Sequence, residues 1–215
     1  MLKLYDYYRS SACFRVRIAL NLKDLGYEIV TINLVKNDGE QHSPEYQQVN
    51  PQRRVPSLQD GDKIITQSLA IIEYLDEYKR TPPLLPNDPY EKALVKAFAL
   101  TIVADIHPLN NSSVLKYLSN EFKISDAQKN TWYHHWIHQG FTALEKRLAS
   151  RAKPSNFCFG DEPSLADICL APQIYNARRF MCDISAYPIL NRLEQTYKNH
   201  PAFLKAWPME ETVKE

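Results

Sequence analysis

The segment from Tyr5 to Leu22 constrains the fold of this chain more than any other stretch. It starts as a short run of aromatic and β-forming residues, turns at Arg9, Ser10 and Ser11, and continues with helical periodicity. The apolar residues of the helical part recur on one face, namely Cys13, Val16, Ala19 and Leu20. The sequence therefore predicts a strand, a polar turn and an amphipathic helix with an exposed N-terminus.

The N-terminus of this predicted helix is suited to an anion. Its unpaired N–H groups and the helix dipole favour a thiolate, carboxylate or phosphate placed there. Ser10 or Ser11 can cap the helix, and a serine hydroxyl can also donate a hydrogen bond to a bound anion. The residues alone leave both roles open. Arg15 and Arg17 lie off the apolar face and are predicted to point away from the core.

Composition favours small-molecule chemistry. The 26 Lys and Arg residues balance 25 Asp and Glu residues, so the net charge of +1 gives no case for binding nucleic acid or a membrane surface. The chain opens with a strand pattern, and no apolar run approaches the roughly 20 residues of a membrane span. We predict a soluble, cytoplasmic protein.

The cysteines and histidines do not form a metal-binding pattern. The four cysteines, Cys13, Cys158, Cys169 and Cys182, include no CxxC pair, which favours reduced thiols in a reducing compartment. His134 and His138 have a spacing that can place two imidazoles on one metal, but no third ligand accompanies them. We predict no metal site.

The first part of the chain has the element order β, α, β, α, β, β, α, which is typical of a thioredoxin-type module. A hairpin with an Asp60-Gly61 turn follows Pro56, and Pro56 leaves the edge at Val55 open to an extended peptide. Ser68 is the predicted N-cap of the next helix. The proline-rich segment that follows predicts a domain boundary, giving domains at 1–81 and 90–215 with a linker at 82–89.

The second part of the chain is predicted to be all-helical. Helical periodicity covers about 90–118, 126–150, 164–179 and 188–198. Ser164 and Asp167 have the layout of a capping box in an acidic variant.

Seven segments, in order along the chain, resemble zeta-class glutathione transferases. They are RSSACFRVRIAL from Arg9, NPQRRVPSL from Asn50, QSLAIIEYL from Gln67, LLPNDP from Leu84, IHPLNNSSVLK from Ile106, GDEPSLADICLAPQ from Gly160 and NARRF from Asn176. The resemblance implies a thioredoxin-like N-terminal domain followed by an all-helical glutathione transferase C-terminal domain that forms a wall of the substrate pocket. It also implies a homodimer, with the α/β module of one subunit against the helical domain of the other.

The resemblance implies a glutathione site on the two helix N-termini and on the edge beside Pro56, which resembles the family's cis-proline. Its implied glutathione-binding residues are Ser10, Ser11, Gln41, Val55, Gln67, Ser68, His107 and Asn111. Val55 offers its backbone, whereas Gln67 and Ser68 bind the γ-glutamyl end. Many family members have a cysteine where this chain has Ala12. Cys13, one residue on, falls on the apolar face and is predicted to be a buried structural thiol.

The implied activity is the glutathione-dependent isomerisation of maleylacetoacetate to fumarylacetoacetate in tyrosine and phenylalanine catabolism. The thiolate adds, the carbon–carbon bond rotates, and elimination regenerates glutathione as a cofactor. Ser10 is the preferred hydroxyl donor to the thiolate, Ser11 a co-donor or cap, and Arg15 a further stabiliser. Arg9 and Arg179 are the predicted ligands of the dicarboxylate, whereas Arg178 is predicted to be solvated.

The sequence leaves four alternatives open. The same site would serve a maleylpyruvate isomerase or a zeta-type transferase acting on α-halo acids. A glutathione-binding or thiol–disulfide exchange protein without isomerase activity would need an exposed, reactive Cys13. A tyrosine could also replace serine as the activating group, the candidates being Tyr5, Tyr7 and Tyr8.

Overall fold

The computed structural model describes residues 1–151 and 155–208 and divides the chain into two compact units. The first comprises Met1–Pro83 together with residues 200–208, and the second comprises Leu84–Asn199. The strands are β1 (Leu2–Asp6), β2 (Tyr27–Thr31), β3 (Ser57–Asp60) and β4 (Lys63–Thr66). The helices are α1 (Ser11–Leu22), α2 (Pro44–Val49), α3 (Ser68–Tyr78), α4 (Pro89–Leu100), α5 (Ser112–Glu121), α6 (Asp126–Ala149), α7 (Leu165–Arg179), α8 (Pro188–Asn199) and α9 (Pro201–Ala206).

The first unit contains a four-stranded mixed sheet in the order β2-β1-β3-β4. Strands β1 and β2 pair in parallel, whereas β1 and β3, and β3 and β4, pair antiparallel. The β3–β4 hairpin turns at Gly61, whose φ of +62° suits glycine. This arrangement confirms the thioredoxin-like fold predicted from the order of the elements.

Helix α1 is buried nearly all round, so the prediction that its arginines point away from the core is wrong. Arg15 is 1% exposed and Arg17 is 6% exposed. Helix α3 packs on one side of α1 and α9 on another, and both guanidinium groups have partners there. A buried arginine is stable only when it is paired and hydrogen-bonded, and those partners come from distant parts of the chain.

Helix α9 packs on α1 in the first unit, whereas the sequence-based division placed residues 200–208 in the helical domain. The Asn21 side-chain amide donates to the Ala202 carbonyl at 2.9 Å. The rings of Phe14 and Trp207 meet edge to face with their centroids 5.4 Å apart. These contacts attach the end of the described chain to α1, the helix that begins at the serine turn, by which we mean residues 8–11.

The second unit is built from α4 to α8. The predicted helix over 90–118 is interrupted by a π-helical turn at Thr101–Ile106 and by the turn that precedes α5. Pro108 lies in that second turn, and Asn111 caps α5 with its side chain. The capping box of Ser164 and Asp167 at α7 is confirmed.

Within the described residues, no helix is both long and apolar enough to cross a membrane.

Candidate active site

The serine turn separates the roles of its two serines. Ser10 is the N-cap of α1, and its Oγ accepts a hydrogen bond from the Cys13 N–H at 3.3 Å. Ser11 is the first helical residue and is 6% exposed, so it is not the cap. The first turn of α1, which is fully described, contains no acidic residue. A hydroxyl that accepts one hydrogen bond can still donate its own proton, which leaves Ser10 able to cap the helix and to contact a ligand.

Arg9 is held against two aromatic rings beside Ser10. Its Nη2 donates to the Tyr7 hydroxyl at 2.8 Å, and its guanidinium carbon lies 5.7 Å from the Tyr7 ring centroid and 5.1 Å from that of Tyr8. Aromatic faces attract a guanidinium group and restrict its motion. The Tyr5 hydroxyl instead donates to the side chain of Gln59 at 2.9 Å.

Arg15 joins the first turn of α3. Its Nη1 donates to Ser68 Oγ at 3.2 Å, and Ser68 is 5% exposed. Ser68 is the first residue of α3, and the N-cap is Gln67, so the prediction of Ser68 as N-cap is wrong. Gln67 has a φ of +71°, a conformation rare for a residue with a side chain, and its Nε2 donates to Gln52 Oε1 at 2.8 Å.

The Val55–Pro56 peptide bond is cis, as the resemblance implied. The loop before it is fixed by two donors to the Arg54 carbonyl, the Tyr46 hydroxyl at 2.8 Å and the Asn50 side-chain amide at 2.7 Å. Across the described ranges, no hydrogen bond uses the peptide groups of Val55. An extended peptide could therefore pair with the Val55 backbone, as its open edge predicted.

Gln41 lies in a short 3₁₀ turn, Glu40–His42. Its Oε1 is buried and has no hydrogen-bond partner among the residues that the structure describes. Gly39 precedes it with a φ of +102°, and a Cβ there would stand 2.3 Å from the Gln41 side-chain nitrogen. A buried acceptor without a partner is costly, so this oxygen is suited to receive a donor from a bound ligand.

The helical unit holds three predicted site residues. The His107 N–H donates to the Ile102 carbonyl at 2.8 Å and closes the π-helical turn. Asn111 Oδ1 accepts from the N–H and the hydroxyl of Ser113, at 3.0 and 2.8 Å. Arg179 is exposed, with its guanidinium carbon 5.5 Å from the Phe180 ring centroid. A π-helical insertion beside a candidate residue is common at functional sites.

Arg178 is exposed to solvent, as the sequence predicted, and it also pairs with a buried carboxylate. Its Nη2 lies 3.0 Å from Glu194 Oε2 and also donates to the Asn191 side chain at 2.5 Å. Glu194 is 2% exposed, and Lys198 contacts its other oxygen at 2.7 Å. Arg178 therefore neutralises a buried carboxylate.

Cys13 is fully buried, and its sulfur accepts a hydrogen bond from the Tyr7 N–H at 3.5 Å. Burial, assisted by the negative charge of Asp6, raises the pKa of the Cys13 thiol. The prediction of a structural thiol is confirmed. All four cysteines lie within the described ranges, and each is a buried thiol rather than half of a disulfide.

His134 and His138 make hydrogen bonds to different groups of the second unit. His134 Nε2 lies 2.7 Å from the Phe180 carbonyl oxygen. His138 Nδ1 lies 2.9 Å from the Tyr187 hydroxyl, and its Nε2 lies 3.5 Å from Cys182 Sγ.

Sequence reasoning missed the ion pair between Asp6 and Arg17, whose atoms Oδ1 and Nη1 are 2.6 Å apart. A signal was present, because an acidic residue at the end of β1 and an arginine on the next helix can meet at the same end of a βα unit. The two residues flank the serine turn in sequence.

Two family models match this chain. The glutathione S-transferase N-terminal domain matches residues 4–83, and the glutathione S-transferase C-terminal domain matches residues 137–181. The class defined by the fold and the serine turn is thus that of the glutathione S-transferases.

Similar proteins identify which group of glutathione S-transferases this chain resembles. The maleylacetoacetate isomerase of Rattus norvegicus is 47% identical over 95% of this chain and 91% of its own length. A bacterial maleylpyruvate isomerase, described as a zeta-class glutathione S-transferase, has a solved structure with a TM-score of 0.94 and 40% identity, covering 98% of this chain and 100% of its own. The maleylacetoacetate isomerase of Methylobacterium extorquens, solved with malonate and glutathione bound, has a TM-score of 0.91 and 38% identity, with 96% of each chain covered. The chain belongs to the zeta-class family of glutathione S-transferases that includes these maleylacetoacetate and maleylpyruvate isomerases.

Proposed function

We propose that this protein is a glutathione-dependent cis–trans isomerase that converts maleylacetoacetate to fumarylacetoacetate. The observation that carries the proposal is the N-terminus of α1, where Ser10 caps the helix and the first turn holds no acidic residue. Its family membership supports glutathione as the cofactor and a cis-dicarboxylate as the substrate.

Bound glutathione supplies a thiol nucleophile whose reversible addition makes rotation about a carbon–carbon double bond possible. The protein's task is to keep that thiol ionised, since a free thiol with a pKa of about 8.5 is largely protonated at neutral pH. Ser10 performs this task by donating a hydrogen bond from its hydroxyl group to the ionised sulfur. The positive end of the α1 dipole adds to the effect, and Ser11 is the co-donor.

The other groups of the first unit bind the rest of the tripeptide. Ser68 and Gln67, at the N-terminus of α3, receive the carboxylate of the γ-glutamyl end, where backbone N–H groups and the helix dipole favour an anion. Arg15 contributes by fixing Ser68 and by adding positive charge. Val55 pairs with the peptide through its backbone, and Gln41 supplies a buried acceptor.

Arg9 and Arg179 are the proposed ligands of the substrate carboxylates. Arginine can form two parallel hydrogen bonds to a carboxylate, which fixes the orientation of the dicarboxylate. Arg9 is already oriented by Tyr7 and Tyr8. In the helical unit, His107 and Asn111 are proposed glutathione ligands by family resemblance alone.

Maleylpyruvate is the second candidate substrate, because the bacterial maleylpyruvate isomerase shares the fold along almost the whole chain. Both substrates are cis-alkenes conjugated to carbonyl groups, so the residues of the first unit would serve either. A disulfide-exchange function is disfavoured, because Cys13 is fully buried and its pKa is raised.

We also propose a cytoplasmic homodimer acting in tyrosine and phenylalanine catabolism. Four cysteines that form no disulfide among the described residues support a reducing compartment. The chain mass is 25.0 kDa, so sedimentation of a particle of that mass at working concentration would refute the dimer.

The function is tested by following maleylacetoacetate loss coupled to fumarylacetoacetate hydrolase, with maleylpyruvate assayed in parallel. Glutathione should be required, and S-methylglutathione, which lacks the free thiol, should bind without supporting turnover. The ratio of the two rates identifies the substrate. Glutathione binding without turnover of either substrate would refute isomerisation.

A further inference from the structure

Arg17 connects three separate parts of the first unit through its guanidinium group. Nη1 donates to Asp6 Oδ1 at 2.6 Å, and Nη2 donates to the Tyr8 carbonyl at 2.9 Å. Nε donates to the carbonyl of Ala206, the last residue of α9, at 3.2 Å. Three acceptors from the end of β1, the serine turn and α9 therefore share one planar donor.

The first two contacts lie on either side of Tyr7, and Tyr7 in turn holds the serine turn. The Ser10 N–H donates to the Tyr7 carbonyl at 2.9 Å. The Tyr7 hydroxyl accepts from Arg9, and the Tyr7 N–H donates to the Cys13 sulfur. A shift of Tyr7 would therefore move both Ser10 and Arg9.

We propose that Arg17 is a positioning residue that sets the Ser10 hydroxyl for the glutathione sulfur, and that α9 takes part in this positioning through its Ala206 carbonyl. The inference rests on the proposed function and extends it to residues that need not touch glutathione or substrate. Arg17 acts through geometry, because Asp6 offsets its charge. A lysine keeps the charge but lacks the planar fork that can serve three acceptors.

Asn21 provides a matched control on the same helix. It anchors the start of α9, at Ala202, as Arg17 anchors its end, but this hydrogen bond does not involve the serine turn. Asn21→Ala should therefore lower stability without affecting the thiol. If the contacts of α1 with α9 mattered only for stability, Arg17→Lys and Asn21→Ala would both lower stability and leave the ionisation of the thiol unchanged.

The experiment compares the wild-type protein, Arg17→Lys and Asn21→Ala. Three quantities are measured: thermal stability, glutathione affinity by calorimetry, and the ultraviolet absorbance of the bound thiolate as a function of pH. We expect Arg17→Lys to shift thiol ionisation toward higher pH and to lower kcat about 10-fold or more, since small misplacements of a reacting group are costly. Asn21→Ala should keep the wild-type ionisation curve and kcat.

A folded Arg17→Lys protein with a wild-type ionisation curve would overturn the inference, as would an equal shift in Asn21→Ala. If Arg17→Lys does not fold, the double variant Asp6→Asn/Arg17→Gln, which removes the guanidinium group without leaving either charge buried alone, is measured instead, and the same two outcomes apply. Failure of the proposed function has a different signature, because the wild-type protein itself would then bind glutathione without lowering the pKa of its thiol, or would not bind it.

Discussion

Helices α1 and α7 are both deeply buried in their units, yet different side chains accept the hydrogen bonds at their N-termini. At α7, Asp167 is fully buried in the first turn and accepts four hydrogen bonds. The donors are the Ser164 N–H and hydroxyl at 2.9 Å each, the Cys158 N–H at 2.8 Å and the Tyr197 hydroxyl at 2.9 Å. At α1, a single serine hydroxyl serves as the cap.

The preference of a helix N-terminus for negative charge therefore contributes to stability in the second unit and, in our proposal, to catalysis in the first. A helix N-terminus favours negative charge whether the charge belongs to the protein or to a ligand. Asp167 fills that place permanently at α7. At α1 no carboxylate fills it, so a ligand thiolate would not meet like charge within the first turn.

The largest effect is expected from Asp167→Ala. Each buried donor left without a partner costs about 1–3 kcal/mol, so the loss of all four acceptor contacts should lower the free energy of unfolding by about 4 kcal/mol or more. Asp88→Ala is the control, because Asp88 is an exposed N-cap of α4 whose removal should cost about 1 kcal/mol. Denaturant titration measures both. Equal losses would contradict the role assigned to the four buried hydrogen bonds.

Ser10→Asp would place at α1 the kind of group that α7 already has. Aspartate is as good a cap as serine, so stability should stay within about 0.5 kcal/mol of the wild type. Its charge would repel the thiolate, so kcat/KM should fall about 100-fold or more. Denaturation and steady-state kinetics separate the two effects. A fully active Ser10→Asp protein would refute the proposed anion site.

Single-hydroxyl variants refine this result. Ser10→Ala should lose both the donor and about 1 kcal/mol of capping, whereas Ser11→Ala should keep the cap. If each variant kept wild-type turnover at saturating glutathione, neither hydroxyl would activate the thiol.

The sequence predicted the parts of this comparison that depend on local patterns. The strand, turn and helix at the serine turn and the capping box at α7 are short-range features, and both were found. The choice between Ser10 and Ser11 as cap was not predictable, because it depends on where the first helical turn closes. The burial of Arg15 and Arg17 was missed, since their partners include Ser68 and Ala206, far away in the sequence.

Two neighbouring arginines at the C-terminus of α7, Arg179 and Arg178, allow a second comparison. The variant Arg179→Ala tests the first of them. Arg179 is exposed at the end of α7, so its removal should leave stability unchanged. Loss of a charge-assisted hydrogen bond to the substrate, worth about 1.5 kcal/mol, should raise the KM for the dicarboxylate about 10-fold. The KM for glutathione should change less. Equal effects on the two values would rule out selective binding of the dicarboxylate.

Arg178→Ala should have the opposite pattern, with unchanged KM values and a loss of about 1 kcal/mol in stability, because the arginine is half exposed. Burial alone would raise the pKa of Glu194, but Lys198 and Arg178 together hold it below its ordinary value. A lowered pKa stabilises the fold above the unfolded value of about 4.3 and loses this effect as the pH falls. The difference between wild type and Arg178→Ala should therefore shrink below about pH 4, and a constant difference would contradict the ion pair.

The smallest effect is expected for thiol labelling of Cys13, which lies on the buried face of α1. Because burial raises its pKa, the native protein should react with a thiol reagent near pH 8 only as fast as it unfolds, whereas denatured protein should expose four thiols. The raised pKa stabilises the folded state below the unfolded thiol's pKa of about 8.5, and this contribution is lost as the pH rises further. Labelling of Cys13 faster than global unfolding would show an accessible thiol beside Ser10. In that case Cys13 would not be a purely structural thiol, and the distinction between it and a reactive ligand thiol at the N-terminus of α1 would not hold. Disulfide exchange would then explain the site better than isomerisation.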